Sequence, residues 1–230
     1  MDRLCYTYYT GKGANYLSGF HTTESFLQIA KRSVEQARKF FPEVLIYTDE
    51  EGKLFLQQEG FDVDFCIVDY DSYEWNKGFW SFPKLITYNL QDRPFLHIDM
   101  DVILESKPTN SDCPLICEKV RPLVMFSSRR KWLPPVVQAN YSPNNICSGI
   151  LGGNPEIFKK LFSVSSQLVK NRDNHISFDM VMGIEEIVLT AICKLNGISP
   201  QAIDCVFTHY QSSAEKMRLT YDIKSEELIL

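Results

Sequence analysis

Apolar residues recur at two spacings along this chain. Phe26, Leu27, Ala30, Val34, Ala37 and Phe41 fall three and four apart, the spacing of one buried helix face. The spacing predicts a helix over 24–41, with Thr23 as its N-cap and Pro42 closing it. A short helix over 50–59 is expected to end at Gly60, because glycine accepts the left-handed conformation that terminates helices. Further helices are expected over 83–90 and over 155–169, the latter opening on Pro155 as first turns allow. Ile184, Ile187, Val188, Ala191, Ile192 and Leu195 mark one more, ended by Gly197. Between these lie short apolar runs that read as strands: 4–10, 43–48, 63–68, 95–98, 121–127, 146–151 and 203–207. Gly149 interrupts the sixth.

Strands that alternate with helices imply an α/β domain built on a mainly parallel central sheet. Composition does not shift along the 230 residues and no repeat recurs, so a single domain over 1–230 is expected, with a mobile tail over 225–230. With 44% hydrophobic and 13% aromatic residues, the chain can bury a sizeable core. A net charge of −5 offers no general attraction to nucleic acid, and the run Arg129-Arg130-Lys131 is too short to change that. The opening Met1-Asp2-Arg3 lacks the apolar stretch of a signal peptide, and no segment approaches a membrane span. Seven scattered cysteines without zinc spacing agree with a reduced, cytoplasmic protein.

The chemistry gathers at Phe95-Leu96-His97-Ile98-Asp99-Met100-Asp101. Residues two apart on an extended strand share a face. Two carboxylates so placed repel unless they are solvated or share a cation. Hard oxygen ligands suit Mg²⁺ or Mn²⁺, and ligands of α/β sheets collect at the carboxyl ends of strands. A solvated strand end is the competing reading. His97, one strand position before Ile98, reads as structural.

The segment Phe79-Trp80-Ser81-Phe82-Pro83-Lys84-Leu85, then Tyr88, then Pro94 into Asp99-Met100-Asp101 resembles the metal-dependent glycosyltransferases of GT-A fold, nearest to the glycogenin-like group. The resemblance implies a single Rossmann-like domain, a nucleotide-sugar donor (a UDP-sugar by analogy), a carbohydrate or glycoconjugate acceptor and Mn²⁺ or Mg²⁺ as cofactor. Asp101 would bind the metal directly, and Asp99 through water or by holding the ribose. Asn145-Ile146-Cys147-Ser148-Gly149 is similar to the segment bordering the donor sugar, although two residues separate the Asn from the Ser-Gly. Glu185-Glu186 resembles the acidic position facing the acceptor, where either could serve as catalytic base. His209 and Lys216 are similar to the site-closing pair in which the His completes the metal shell and the Lys contacts the diphosphate. The family has a Gly between them and a spacing one residue shorter. Without the resemblance, His209 reads equally as a surface histidine.

Tyr8 and Thr10 at the end of the first strand, Asp49 at the end of the second, and Lys84 are further candidates for donor binding. Tyr8 reads equally as core, Asp49 as a helix cap and Lys84 as a solvated helix lysine. Trp75 and Trp80 are expected either to line a sugar site or to pack. Asp99-Met100-Asp101-Val102 after an apolar strand also resembles the first motif of haloacid-dehalogenase-like phosphatases, with Asp99 as nucleophile. That motif normally lies on the first core strand, and three strands precede it here. A sugar-nucleotide-binding protein without catalysis is the third reading.

Overall fold

In the computed structural model, residues 1–11, 19–122, 133–140, 142, 144–170, 180–181, 183–211 and 215–216 are described. The strands are β1 (Arg3–Tyr8), β2 (Glu43–Thr48), β3 (Asp64–Ile67), β4 (Phe95–Ile98), β5 (Val102–Leu104), β6 (Leu115–Cys117), β7 (Val120–Pro122), β8 (Asn144–Ile146), β9 (Ile150–Gly153), β10 (Gln201–Ala202) and β11 (Phe207–His209). The helices are α1 (Thr23–Phe40), α2 (Glu50–Gln58), α3 (Phe82–Asn89), α4 (Pro135–Ala139), α5 (Pro155–Lys170) and α6 (Val188–Leu195), the last entered through a π-helical turn, Gly183–Ile187.

Alternation along β1 sets the layering. Leu4, Tyr6 and Tyr8 join an apolar cluster with Phe26, Ala30, Val34 and Leu56, residues of α1 and α2. Cys5 joins the opposite cluster with Leu85, Tyr88, Phe158, Leu161, Leu189 and Ile192, residues of α3, α5 and α6. Successive strand side chains point to opposite faces, so one strand seeds both halves of the core. The result is an α/β domain with helices on each face of its sheet.

The seven-stranded sheet has the order β10-β6-β9-β4-β1-β2-β3. β1 runs parallel to β2 and β4, and β2 parallel to β3. β9 lies antiparallel between β4 and β6, while β6 and β10 are parallel. The sheet is therefore mainly parallel, with β4 at its centre. β2 and β4 flank β1 on opposite sides, so the winding reverses there. No helix among the described residues is long and apolar enough to cross a membrane.

Several boundaries differ from expectation. Thr22 caps α1, accepting from the Ser25 amide at 3.2 Å, and Thr23 is the first helical residue. Thr22 keeps the extended backbone an N-cap needs. The run 146–151 is two strands in different sheets: β8 pairs with β7, and β9 enters the main sheet. The run 203–207 is not a strand: residues 203–206 link β10, which joins β6, to β11, which opens at Phe207 and pairs with β5. Strands β5 and β6, three residues each, are too short to stand out as periodic runs. The helix expected from Ile184 opens as a π turn. All seven cysteines are free thiols, four of them buried. The cluster Arg129-Arg130-Lys131, residues 123–127 of one expected strand, and the expected mobile tail lie outside the described residues.

Candidate metal centre

β4 delivers the acidic pair. After Ile98 the Asp99 amide donates to the Gly149 carbonyl (2.9 Å), and the Val102 amide to the Asp99 carbonyl (3.0 Å). The chain thus turns tightly from β4 into β5. Antiparallel pairing of β5 with β11 sets His209 opposite Val102, and the Tyr210 amide donates to the Asp101 carbonyl at 3.1 Å. A histidine 108 positions away in sequence (209 − 101) is thereby fixed beside the motif by backbone hydrogen bonds.

Asp99, Asp101 and His209 each place one ligand atom within 4.8 Å of the others. His209 Nε2 lies 3.6 Å from Asp101 Oδ1. That oxygen is buried and has no hydrogen-bond partner among the described residues. On the other side of the ring, Nδ1 is 2.8 Å from Glu118 Oε2. Glu118 also accepts from Gln211 Nε2 at 2.7 Å and meets Lys119 Nζ at 3.0 Å. Burial pushes the Glu118 carboxyl up, but hydrogen bonds and charge from His209 and Lys119 outweigh this and hold it down at about 2. An ionised carboxylate only accepts, so Nδ1 carries the ring proton. When the ring is neutral, it presents its Nε2 lone pair to Asp101 Oδ1. Two lone pairs facing across 3.6 Å repel unless a proton or cation lies between them. Burial lowers the affinity of His209 for a second proton, while Glu118, Asp101 and Asp99 raise it and prevail. Burial and the Asp99 charge push the Asp101 carboxyl up, against Lys216 and His209.

Metal-ligating histidines characteristically donate their other nitrogen to a carboxylate. Two carboxylates and one imidazole so supported suit Mn²⁺ or Mg²⁺. The residues present fit such an ion.

The opposite side of the pair is filled. Lys84 Nζ lies 2.9 Å from Asp99 Oδ1, 3.3 Å from Glu185 Oε1 and 3.2 Å from the Ser148 carbonyl. Tyr88 Oη donates to the same Glu185 oxygen at 2.7 Å. Burial alone would lower the Lys84 pKa, and the charges of Asp99 and Glu185 reverse this and raise it. Burial raises Glu185. Glu186 Oε1 accepts from the Ser148 amide and Oγ, both at 3.3 Å, and from Arg121 at 3.4 Å, while Asn145 Nδ2 donates to Oε2. Burial pushes Glu186 up to about 7, with Arg121 opposing.

The model of a family of unknown function, DUF6734, matches residues 10–227. The chain belongs to that family. No curated protein matches it.

The remaining candidates in this DUF6734 member are distributed unevenly. Gly149 lies against the metal centre: a Cβ there would overlap the His209 ring and Glu118 Oε2. Ser148 bridges Lys84 and Glu186, as above. Lys216 Nζ meets Asp101 Oδ2 at 2.7 Å in a buried ion pair. Thr10 and Asp49 are bound to one another, the Thr10 amide at 3.0 Å and its Oγ1 at 2.9 Å from Asp49 Oδ2. Asp49 also caps α2 through the Gly52 amide at 2.8 Å. They lie at the carboxyl ends of β1 and β2. Tyr8 is core: its ring stacks between Phe26 (5.8 Å) and Phe55 (6.0 Å). Strand alternation puts it in phase with Leu4 and Tyr6, so a buried ring replaces the expected nucleotide contact. Trp75 packs on Phe82 at 5.4 Å, and Trp80 is half-buried against the same cluster. His97 is buried, with Nε2 2.9 Å from Thr7 Oγ1.

Glu118 and Arg121 are the residues that sequence reasoning missed. Glu118 did carry a signal. It follows the apolar run Leu115-Ile116-Cys117 as Asp99 follows Phe95-Leu96-His97-Ile98, so both acids stand just beyond strands of one sheet.

Proposed function

We propose that this protein is a glycosyltransferase that moves a sugar, a hexose by resemblance, from a nucleoside-diphosphate donor to a carbohydrate or glycoconjugate acceptor. Asp99, Asp101 and His209 would hold Mn²⁺ or Mg²⁺. The observation that carries the reading is the buried, unpartnered Asp101 Oδ1 facing His209 Nε2 at 3.6 Å, with Glu118 holding the far side of the ring. It stands at the carboxyl end of the central strand, beside the point where the sheet winding reverses, where α/β sheets bind ligands. A bound divalent ion would offset the charge that gathers on a departing diphosphate.

Within this reading Lys84 orients Asp99 and does not reach the donor, since three acceptors already surround its ammonium. Glu185 and Glu186 serve as buried acids that hold Lys84, Ser148 and Arg121 in place. Donors already engage Glu185 Oε1 and both Glu186 oxygens. An imidazole in the cluster favours the transferase over the phosphatase reading, which relies on further carboxylates.

Thermal denaturation tests the proposal, using Mn²⁺, UDP and the two together. A ligand at about 100 times its Kd stabilises by about 2.7 kcal/mol, roughly 5–10 °C for a domain of this size. The expected result is a rise with UDP that needs Mn²⁺ and disappears in Asp101→Asn. Unchanged melting with every nucleoside diphosphate, with no Mn²⁺-dependent release of diphosphate from its sugar esters, overturns the reading.

A further inference from the structure

We propose that Arg121 makes this site selective for an acidic sugar, its guanidinium holding the carboxylate that distinguishes a hexuronate from a neutral hexose. The inference rests on the glycosyltransferase reading and names the substrate class of that same site. Antiparallel pairing of β7 with β8 sets Arg121 directly opposite Asn145. Residues opposite one another on paired strands share a face, and both side chains reach Glu186. Glu186 is joined through Ser148 to Lys84 and Asp99. The charge of Glu118, the carboxylate behind His209, also acts on the guanidinium. Arg121 thus stands beside the metal centre and not within it, where a sugar can reach it while its diphosphate meets the ion.

The guanidinium is anchored at one corner. Among the described residues it hydrogen-bonds only to Glu186, through Nη2, at 3.4 and 3.5 Å. Charge-assisted contacts are ordinarily about 2.7–2.9 Å. The side chain is 40% exposed, whereas Glu186 is buried. Arg3 makes the contrast: its Nε and Nη2 donate to Glu43 at 2.9 and 3.2 Å, and its Nη1 to Asp92 at 2.8 Å. A structural arginine of this chain uses its whole fork. Nε and Nη1 of Arg121 make no hydrogen bond among the described residues, which leaves an edge of the fork for bidentate capture of a carboxylate. Burial also pushes the Glu186 carboxyl up to about 7, so near neutral pH it offsets the guanidinium charge only in part.

Asn145 adds an acceptor. Its Oδ1 is buried and has no hydrogen-bond partner among the described residues, and an unmade acceptor in the interior is costly. A uronate carries hydroxyls next to its carboxylate, so a donor for Asn145 arrives with the anion for Arg121. A neutral hexose supplies only the hydroxyl. The carboxylate has two possible sources, the donor sugar or the acceptor, and the test separates them.

Calorimetry in Mn²⁺ compares wild type with Arg121→Gln. The ligands are UDP, then UDP-glucuronate and UDP-galacturonate against UDP-glucose and UDP-galactose, then the methyl glycosides of the same four sugars on protein filled with UDP. Wild type is expected to bind one UDP-uronate at least about tenfold more tightly than its neutral hexose, the scale of one charge-assisted pair. Arg121→Gln should lose that ratio. The same preference confined to the methyl glycosides, and lost in Arg121→Gln, supports the proposal with the carboxylate on the acceptor. Uronamides provide a check that needs no variant: on wild type they should bind as the neutral sugars do. Binding of UDP without preference for a uronate, or a preference that survives in Arg121→Gln or in the uronamide, overturns the proposal while the glycosyltransferase reading stands. Failure of UDP and of every sugar nucleotide to bind with Mn²⁺ overturns both.

Discussion

Asp99 and Asp101 stand two residues apart, yet their surroundings differ in kind. Around Asp99 a helix lysine, a π-turn glutamate, a tyrosine hydroxyl and a backbone carbonyl form a chain of matched donors and acceptors, from Tyr88 through Glu185 and Lys84 to Asp99. Around Asp101 the groups come from β11 and the segment after it. There the chain of partners stops: Glu118 orders His209, but the imidazole and Asp101 Oδ1 confront each other with nothing shared. A closed network stabilises a geometry, and an open one awaits a ligand. The same two charges therefore perform structural work on one side and present chemistry on the other.

The largest expected effect lies on the closed side. Lys84→Met leaves Asp99 and Glu185 facing each other without a cation. Breaking a buried pair in this way costs about 3–5 kcal/mol, so the thermal midpoint should fall by roughly 6–20 °C. A midpoint within a degree of wild type would show that the network is not closed. On the open side, Asp101→Asn should weaken Mn²⁺ binding by about a hundredfold or more while the circular dichroism spectrum is kept, because an amide replaces an anionic oxygen ligand. Retained affinity in calorimetry would move the metal elsewhere. Glu118→Gln should cost about 10–100-fold in Mn²⁺ affinity, the usual consequence of losing the carboxylate behind a histidine ligand. An unchanged Kd would make Glu118 merely a neighbour.

The smallest effect separates the two sides by pH. Glu186 titrates at about 7 in the folded chain against an ordinary 4.5, so between those values the folded state holds more protons than the unfolded one. Stability from this group is full below the lower value and is lost as pH rises toward 7, with a slope of at most about 1.4 kcal/mol per pH unit. Glu186→Gln should flatten that part of the stability profile in urea titrations. Glu118, held at about 2, acts oppositely. Its contribution is present above the ordinary carboxylate range and declines as pH falls toward 2.

Elements with one long apolar period were legible in the sequence. The stripe on α1, the run Glu43–Thr48 and the run Phe95–Ile98 appear where their patterns lie, because burial alone specifies them. Strands of three residues such as β5 and β6 carry too few positions for a period. The turn at Cys147-Ser148-Gly149 divides one apolar run between two sheets through tertiary pairing. At the site, Asp99, Asp101 and His209 were legible from motif resemblance, and the structure brings them together. Glu118, though it stands just past an apolar run, gave no hint of its partner, since His209 lies 91 residues away and the two meet only through tertiary pairing, β11 on β5 and β6 in the main sheet. Lys84 was visible as a cation but not as an enclosed one, because enclosure depends on Glu185 approaching from the π turn.

That π turn, Gly183–Ile187, works as a one-residue frame shift. A π bulge amounts to a single residue inserted into an α-helix, and each α-helical residue rotates the following face by about 100°. Through the turn the buried face shifts, and downstream α6 buries Val188, Leu189, Ala191 and Ile192. Adjacent acids astride the shift can both be buried, Glu185 toward α3 and Glu186 toward Arg121 and Asn145. Deleting one residue of the turn would restore ordinary pitch and force a choice: either α6 keeps its packing or the acids keep their partners. Length at this point in the chain is thus a coordinate of the site, as consequential as the identity of any residue in it.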